Sequence, residues 1–290
     1  MNDNSLLKER EEIELRGFVE KCLLEDVGDG DHTTLACVAP DHVSEAYLLA
    51  KDHGIWAGNR IVGLVIDHFF QGLDYTLLKE DGDPIKEGDI LYELKGSTAS
   101  ILTSERLILN MVQHLSGIAT TTHKMAALIA DLPTKLLDTR KTTPGLRILE
   151  KWAVKMGGGK NHRMGLYDMI MIKDNHIDQC GSISLAVKRV SEYLVSKGLD
   201  LKLEVETRTL EDVNEVMQLD QVDWIMLDNF SPEQIKEALK IINGAKITEA
   251  SGGINASNIR AYAETGVDFI SSGSLTQRAG ALDLSLKMKA

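Results

Sequence analysis

The chain has 290 residues, of which 43% are hydrophobic, and it carries a formal net charge of −12. This length allows two domains with a sizeable core. The negative charge disfavours binding to nucleic acid and to anionic membranes, since both are negatively charged themselves. Cys22, Cys37 and Cys180 lie far apart without a CxxC pair. They therefore predict reduced cysteines rather than a disulfide framework or a thiolate zinc site.

The first residues, MNDNSLLKEREEIELRG, are too charged for the apolar region of a signal peptide. No run of about 18 apolar residues occurs in the sequence. We therefore expect a cytoplasmic protein that does not span a membrane.

The first part of the chain mixes helical and strand patterns. Residues 5–27 have helical spacing and end at the glycines of DVGDGD. Short apolar runs (AYLLA, YTLL, ILYEL) predict strands, and GNRIVGLVIDHFF predicts a helix between them. Residues 103–130 predict one long helix, with a break at Gly117. The stretch DGDPIKEGDILYEL resembles biotinyl and lipoyl carriers, but no lysine occupies the hairpin tip.

The second part alternates apolar runs with amphipathic segments, which predicts strand–helix repeats and a parallel sheet. The six runs are KLLD, MIMIKD, LKLEVE, DWIMLD, KITEAS and VDFISSG. Their polar ends are Asp138, Lys173, Glu206, Asp228, Ser251 and Ser272. In a barrel these ends share one opening, and six strands predict an incomplete α/β barrel rather than the full eight. An open doubly wound sheet is the alternative.

A basic segment interrupts the acidic chain, because residues 138–176 contain eight Lys or Arg and four Asp or Glu. Arg147, Lys151 and Lys155 recur at a spacing of four and predict the solvated face of a helix. The other cations lie at strand ends or in the loop GGGKNHRMG, where they favour binding of carboxylates. These residues are Arg140, Lys141, His162, Arg163 and Lys173.

Carboxylates and glycine-rich loops complete the predicted opening. Glu204, Glu206 and Asp228 suit a divalent cation or a positively charged sugar, although ordinary salt bridges also use such acids. The loops EASGGINAS and SSGSLTQ follow the last two runs, as in the common phosphate site of barrels. A phosphorylated sugar with a metal fits all of these features.

Several motifs together resemble the quinolinate phosphoribosyltransferase family. They are SERLILNMVQHLSGIATTT, DTRKTTPGLRILEKWAVKMGGGKNHRMGLYDMIMIKDNH, EVE, LDNF, EASGGI and SSGSLT. The resemblance implies an N-terminal α/β sandwich (1–115) and a C-terminal incomplete α/β, TIM-like barrel (116–274), with the tail 275–290 packing on the first domain. It also implies a homodimer with shared active sites, and leaves a hexamer open.

By the same resemblance, Arg140, His162, Arg163 and Lys173 hold quinolinate, with Arg106 supplied by the partner subunit. The catalytic candidates Lys141, Glu206 and Asp228 match positions that contact phosphoribosyl pyrophosphate. Glu206 and Asp228 also match positions at its Mg²⁺, directly or through water. The loops at the 5′-phosphate are matched by Ser251, Gly252, Gly253, Ser272 and Gly273. The final loop departs from the family where it reads SLTQR.

The implied reaction joins quinolinate to phosphoribosyl pyrophosphate, releases pyrophosphate and CO₂, and gives nicotinate mononucleotide. Three other functions compete with it. Lys173 is a candidate Schiff-base lysine of an aldolase-type barrel. A non-catalytic relative could keep the phosphate site alone. A sister transferase takes nicotinate, but four or five cations suit a dicarboxylate better.

Overall fold

The computed structural model describes the backbone of residues 3–289 and the side chains of residues 11–289. The chain divides into two compact units. The first comprises the described residues up to Thr121, together with Pro144–Gly158 and those from Ala279 onward. The second comprises Thr122–Thr143 and Gly159–Arg278. The expected boundary after residue 115 lies six residues before this division, and nothing in the sequence indicated that residues 144–158 belong with the first unit.

The first unit contains a four-stranded antiparallel sheet with the strand order β12-β1-β5-β3. Its strands are β1 (Val43–Ala50), β3 (Asp74–Leu77), β5 (Ile90–Ser97) and β12 (Leu284–Met288). A second small sheet pairs β2 (Gly54–Ile55) with β4 (Pro84–Ile85). Alternate residues of β1, namely Ala46, Leu48 and Ala50, are fully buried, which is the pattern of a strand with one face in the core.

Five helices complete this unit or begin in it: α1 (Asp3–Val27), α2 (His32–Cys37), α3 (Asn59–Phe69), α4 (Thr98–Ala127) and α5 (Arg147–Met156). Helix α3 begins where the carboxylate of Asp81 accepts hydrogen bonds from the backbone N–H groups of Gly58, Asn59 and Arg60. These are the amides that a helix start leaves without an internal partner, so Asp81 stabilises this end.

The expected break of α4 at Gly117 is wrong, since the helix continues from Thr98 to Ala127. The glycine serves a close approach instead. A Cβ atom on Gly117 would lie 1.9 Å from the backbone oxygen of Gly280. A residue with a side chain cannot occupy this position without displacing the chain at Gly280.

The expectation that Arg147, Lys151 and Lys155 form a solvated helix face is wrong for Lys151, which is fully buried. Glu150, the preceding residue, is also fully buried and lies 2.9 Å from Nε2 of His114. Lys155 is exposed. Charge spacing alone could not distinguish a helix open to solvent from one covered on that side by other parts of the unit.

The second unit contains six parallel strands in the order β6-β11-β10-β9-β8-β7. They are β6 (Lys135–Leu137), β7 (Ile170–Ile172), β8 (Leu203–Thr207), β9 (Trp224–Asp228), β10 (Ile247–Ser251) and β11 (Phe269–Ser271). Each corresponds to one of the six predicted runs. Within the described chain no pairing joins β6 to β7, and a single bridge links Leu137 to Lys160. The predicted fold class, an N-terminal α/β domain followed by an incomplete α/β barrel, is confirmed.

One or two helices follow each strand from β7 to β11, and because all six strands are parallel their carboxyl ends lie at one edge of the sheet. These helices are α6 (Asp174–Cys180), α7 (Ile183–Lys197), α8 (Leu210–Met217), α9 (Pro232–Ile242), α10 (Ile259–Ala263) and α11 (Ser274–Gln277). Helix α9 begins with a capping box between Ser231 and Gln234 and with Pro232 in its first turn. Between residues 3 and 289, no helix is both long and apolar enough to cross a membrane.

Candidate active site

The second unit has a cavity of about 820 Å³ at the carboxyl ends of its six strands. Each strand contributes a polar lining residue at its end or one residue from it. These are Asp138, Lys173, Glu206, Asp228, Ser251 and Ser272. The sequence predicted that these strand ends share one opening, and the cavity confirms it.

Cationic side chains line this cavity, namely the expected Arg140, Lys141, Arg163 and Lys173, together with Arg278, which the sequence analysis did not single out. Arg163 is only 9% exposed, and its Nη1 donates to the backbone oxygen of Met169 at 3.1 Å. Burial and the neighbouring charge of Arg140 both lower the pKa of Arg163. The two arginines thus hold their positive charges close together, and Arg163 does so with little exposure to solvent. An anionic ligand would offset the resulting repulsion.

Two carboxylates at the ends of neighbouring strands also line the cavity. Glu206 of β8 is 8% exposed and lies 3.1 Å from Nζ of Lys173. Burial and the negative charge of Glu206 raise the pKa of Asp228, at the end of β9. Asn229 Nδ2 donates to Asp228 at 2.7 Å. Carboxylate oxygens are the ligands that Mg²⁺ prefers, and a divalent cation here would relieve the repulsion between the two acids.

The loop after β10 has the conformation expected of a close backbone approach. Gly252 and Gly253 have φ angles of +101° and +64°, which favour glycine. A Cβ atom on Gly252 would lie 2.2 Å from Oδ1 of Asn229, so a side chain does not fit there. The loop therefore presents backbone rather than side chains to the cavity, as phosphate-binding loops do.

The loop after β11 also brings a glycine close to a side chain, although Gly273 has an ordinary φ of −70°. Ser272 Oγ donates to the backbone oxygen of Ile254 at 2.7 Å and so connects the two loops. A Cβ atom on Gly273 would lie 2.8 Å from Cδ of Lys141. Thr276 Oγ1 donates to the backbone oxygen of Lys141 at 2.6 Å. Lys141 is thus held beside the second glycine-rich loop.

A buried group of three ionisable side chains contributes to the floor of the cavity. His162 Nε2 lies 3.0 Å from a carboxylate oxygen of Glu204 and 3.0 Å from one of Glu249, and both glutamates are fully buried. Burial lowers the pKa of His162, but the two carboxylates outweigh this and raise it to about 10. Burial and repulsion from Glu249 raise the pKa of Glu204.

The sequence analysis missed Glu249 as a site residue. It lies in the middle of a strand, two residues before Ser251, so the alternation of a strand puts both on one face. The same alternation puts Glu204 and Glu206 on one face of β8, and it was the signal available for Glu249. Asp138 was recognised only as a strand end. It is fully buried and accepts the backbone N–H of His162 at 2.8 Å.

Apart from Glu204, which lies beneath His162, the site residues expected from the second unit line the cavity, including His162, Gly252, Gly253 and Gly273. Arg106 is different, because it is an exposed residue of α4 in the first unit and is not among the lining residues. Its expected position, in the site of a partner subunit, stays a prediction.

Comparisons with known proteins point to the same family for both units. Residues 31–116 match the model of the quinolinate phosphoribosyl transferase N-terminal domain, and residues 118–287 match that of the C-terminal domain. A nicotinate-nucleotide pyrophosphorylase [carboxylating] from Arabidopsis thaliana, named as chloroplastic, is 43% identical over 95% of this chain and 83% of its own length. A probable nicotinate-nucleotide pyrophosphorylase [carboxylating] from Bacillus subtilis is 42% identical over 94% of this chain and 93% of its own.

A solved structure with a closely similar fold also comes from a nicotinate-nucleotide pyrophosphorylase. The nicotinate-nucleotide pyrophosphorylase from Francisella tularensis superposes with a TM-score of 0.89 and 40% identity, covering 96% of this chain and 97% of that one. With both domain models matched and these relatives similar over 83–97% of their own length, the chain belongs to the quinolinate phosphoribosyltransferase family.

Proposed function

We infer that this protein transfers the phosphoribosyl group of phosphoribosyl pyrophosphate to quinolinate and releases pyrophosphate and CO₂, giving nicotinate mononucleotide. The observation that carries this inference is the cavity at the strand ends of the second unit, where cations, two strand-end carboxylates and two glycine-rich loops meet. These three features match a dicarboxylate, a sugar that becomes positively charged, and a phosphate. Family membership makes this combination the expected one.

We propose that Arg140, Arg163 and Lys173 bind the carboxylates of quinolinate. Guanidinium groups pair with carboxylates in a fork geometry, and both arginines line the cavity. His162 contributes through Arg163, because its two ring nitrogens contact the buried glutamates and the N–H of Arg163. Arg106 from a second copy of the chain completes the set. In this proposal each active site needs residues from two copies of the chain, so the active form is at least a dimer. Further assembly into a hexamer stays open.

Phosphoribosyl pyrophosphate occupies the remainder of the cavity in this proposal. The loops at Ser251, Gly252, Gly253, Ser272 and Gly273 bind its 5′-phosphate through backbone amides and hydroxyl groups. Lys141 lies beside Gly273 and supplies a positive charge to the phosphates. Glu206 and Asp228 hold Mg²⁺, directly or through water. When bound, Mg²⁺ supplies positive charge that offsets the charge of pyrophosphate.

The chemistry requires no protein nucleophile. The pyridine nitrogen forms a bond to C1 of the ribose as the bond between C1 and the pyrophosphate oxygen breaks. Positive charge develops on the ribose in this step, and the carboxylates of Glu206 and Asp228 stabilise it. The nitrogen is then a cation, so the electron pair released when CO₂ leaves the 2-position is stabilised by the ring. That carbon finally takes up a proton.

One assay tests this function. The protein is incubated with Mg²⁺, phosphoribosyl pyrophosphate and either quinolinate or nicotinate, and both CO₂ and mononucleotide are measured. We expect product and CO₂ in equal amounts from quinolinate only. Product from nicotinate without CO₂ would instead identify a sister transferase, and no product from either would favour a relative that only binds phosphate.

The aldolase alternative depends on Lys173 as a free amine. In the structure its Nζ lies 3.1 Å from Oε2 of Glu206, so this lysine already serves as the ion-pair partner of a carboxylate. Borohydride trapping with a carbonyl substrate should leave Lys173 unmodified. A modified lysine would contradict the proposed transfer reaction.

We also propose a cytoplasmic location, and cell fractionation tests it. The relative from Arabidopsis is named as chloroplastic, so members of the family do not all share one compartment.

A further inference from the structure

One histidine connects two strands that do not pair with each other. Glu204 belongs to β8 and Glu249 to β10, and β9 lies between these strands in the sheet. The two carboxylates nevertheless meet at one point, because Nε2 of His162 lies 3.0 Å from an oxygen of each. Neither contact has the geometry of one directed hydrogen bond, which is consistent with a proton between two acceptors.

The other ring nitrogen faces a hydrogen-bond donor. The backbone N–H of Arg163 donates to Nδ1 of His162 at 2.6 Å. This contact disfavours a second proton at Nδ1, whereas the two carboxylates favour a charged ring. Both effects place a proton on Nε2. The same arrangement disfavours a metal ion within the trio, because a metal would need the lone pair of Nε2 and a proton on Nδ1.

Fixing this ring also fixes the residue that follows it. The backbone N–H of His162 donates to Asp138 at 2.8 Å, and the N–H of Arg163 donates to the ring, so the chain is held on both sides of the histidine. The guanidinium of Arg163 then reaches the backbone oxygen of Met169 and lines the cavity. A shift of the ring would therefore shift the backbone from which Arg163 extends.

We propose that Glu204 and Glu249 are positioning residues for the dicarboxylate substrate: by holding a proton on Nε2 of His162 they fix the ring, and through it the position of Arg163. This inference rests on the proposed function, which places quinolinate against Arg163. Both glutamates are fully buried and contact Nε2 of His162, through which they act in this proposal.

The test compares Glu249→Ala and Glu204→Ala with Glu249→Gln, which keeps an acceptor oxygen for Nε2–H. We expect each alanine variant to raise KM for quinolinate about 10–100-fold, the range that follows from a small misplacement of a binding group, and to leave KM for phosphoribosyl pyrophosphate little changed. Glu249→Gln should restore most of the quinolinate affinity. Equal increases in both KM values would mean a general structural role and would overturn the proposal.

A second measurement does not depend on activity. In protein labelled with ¹⁵N-histidine, the signal assigned by its loss in His162→Gln should show a protonated Nε2 in the wild type and in Glu249→Gln. In the alanine variants this signal should shift, because one carboxylate instead of two then contacts Nε2. A wild-type signal with unprotonated Nε2 overturns the proposal even if no alanine variant folds. A signal that shifts when Zn²⁺ is added to the wild type, but not when it is added to Glu249→Ala, would also overturn the proposal. It would show that the three side chains bind a metal ion.

Glu150→Gln is the matched control, because Glu150 is also fully buried and also contacts a histidine, His114, at 2.9 Å, but lies in the first unit. It should lower Tm without changing the His162 signal. If the wild type makes no product from quinolinate, the proposed function fails, and the histidine signal alone then decides whether the two glutamates hold His162.

Discussion

Gly252 and Gly253 are adjacent in the loop after β10, but they are glycines for different reasons. Gly252 combines a φ of +101° with a Cβ position only 2.2 Å from Asn229, whereas Gly253 has a φ of +64° and open space around its Cβ position. We expect Gly253→Ala to cost about 1–2 kcal/mol, the cost of a left-handed backbone. Gly252→Ala should cost more and should also raise KM for phosphoribosyl pyrophosphate. Thermal unfolding measures the two stability changes, and steady-state kinetics measures KM. Equal effects of the two substitutions would contradict the close contact between Gly252 and Asn229.

Arg140 lines the same cavity and tests the proposed binding of carboxylates. Replacing one partner of a desolvated charge pair costs about 2–5 kcal/mol, because the other charge is left buried. Arg140→Ala should therefore reduce kcat/KM for quinolinate by about 30- to 5,000-fold, which corresponds to this free energy. Arg147→Ala, a substitution in helix α5, is the comparison. Unchanged turnover at subsaturating quinolinate would refute this role.

At the scale of elements, helices α1 and α4 each contain a glycine, and the structure predicts opposite effects for the same substitution. Gly17 in α1 has open space at its Cβ position, whereas in α4 a Cβ atom on Gly117 would meet Gly280 at 1.9 Å. Gly17→Ala should stabilise the protein by about 1 kcal/mol through helix propensity. Gly117→Ala should destabilise it by about 1–3 kcal/mol or more, because overpacking outweighs that gain. Denaturant unfolding measures both, and a stabilising Gly117→Ala would contradict the close approach.

The elements that the sequence predicted best are the six strands of the second unit, because each is a short apolar run with a polar residue at its end. Lys151 and Glu249 were harder to interpret. A lysine at helical spacing looks the same whether its face is solvated or covered, and a glutamate inside a strand is visible as a site residue only if its alternation with Ser251 is used. Burial depends on partners distant in sequence, which periodicity does not identify.

At the scale of the whole molecule, the proposal of shared sites leads to a mixing experiment. Arg106→Ala and Glu206→Ala should each be inactive alone. If each site combines Arg106 of one copy with Glu206 of the other, random mixing gives mixed dimers with one intact site, and about a quarter of the wild-type activity should return. No recovery after confirmed subunit exchange would show that each chain builds its site alone.

The division of the chain into units was only partly visible in the sequence. The change from an irregular pattern to regular strand–helix repeats lies close to the boundary at Thr121. Two later segments, Pro144–Gly158 and the residues from Ala279 onward, nevertheless belong to the first unit. Their local patterns, an amphipathic helix and a short strand, fit either unit, and only their tertiary partners assign them.

The pairing of β12 with β1 has a consequence for synthesis on the ribosome. Ala46 pairs with Met288 and Ala50 with Leu284, so the sheet of the first unit joins parts of the chain that are more than 230 residues apart. At the usual rate of about 5–20 residues per second, β1 waits more than ten seconds for its neighbour to be translated. All six strands of the barrel are made before the earlier sheet acquires this edge, and β1 must avoid pairing with other chains during that interval.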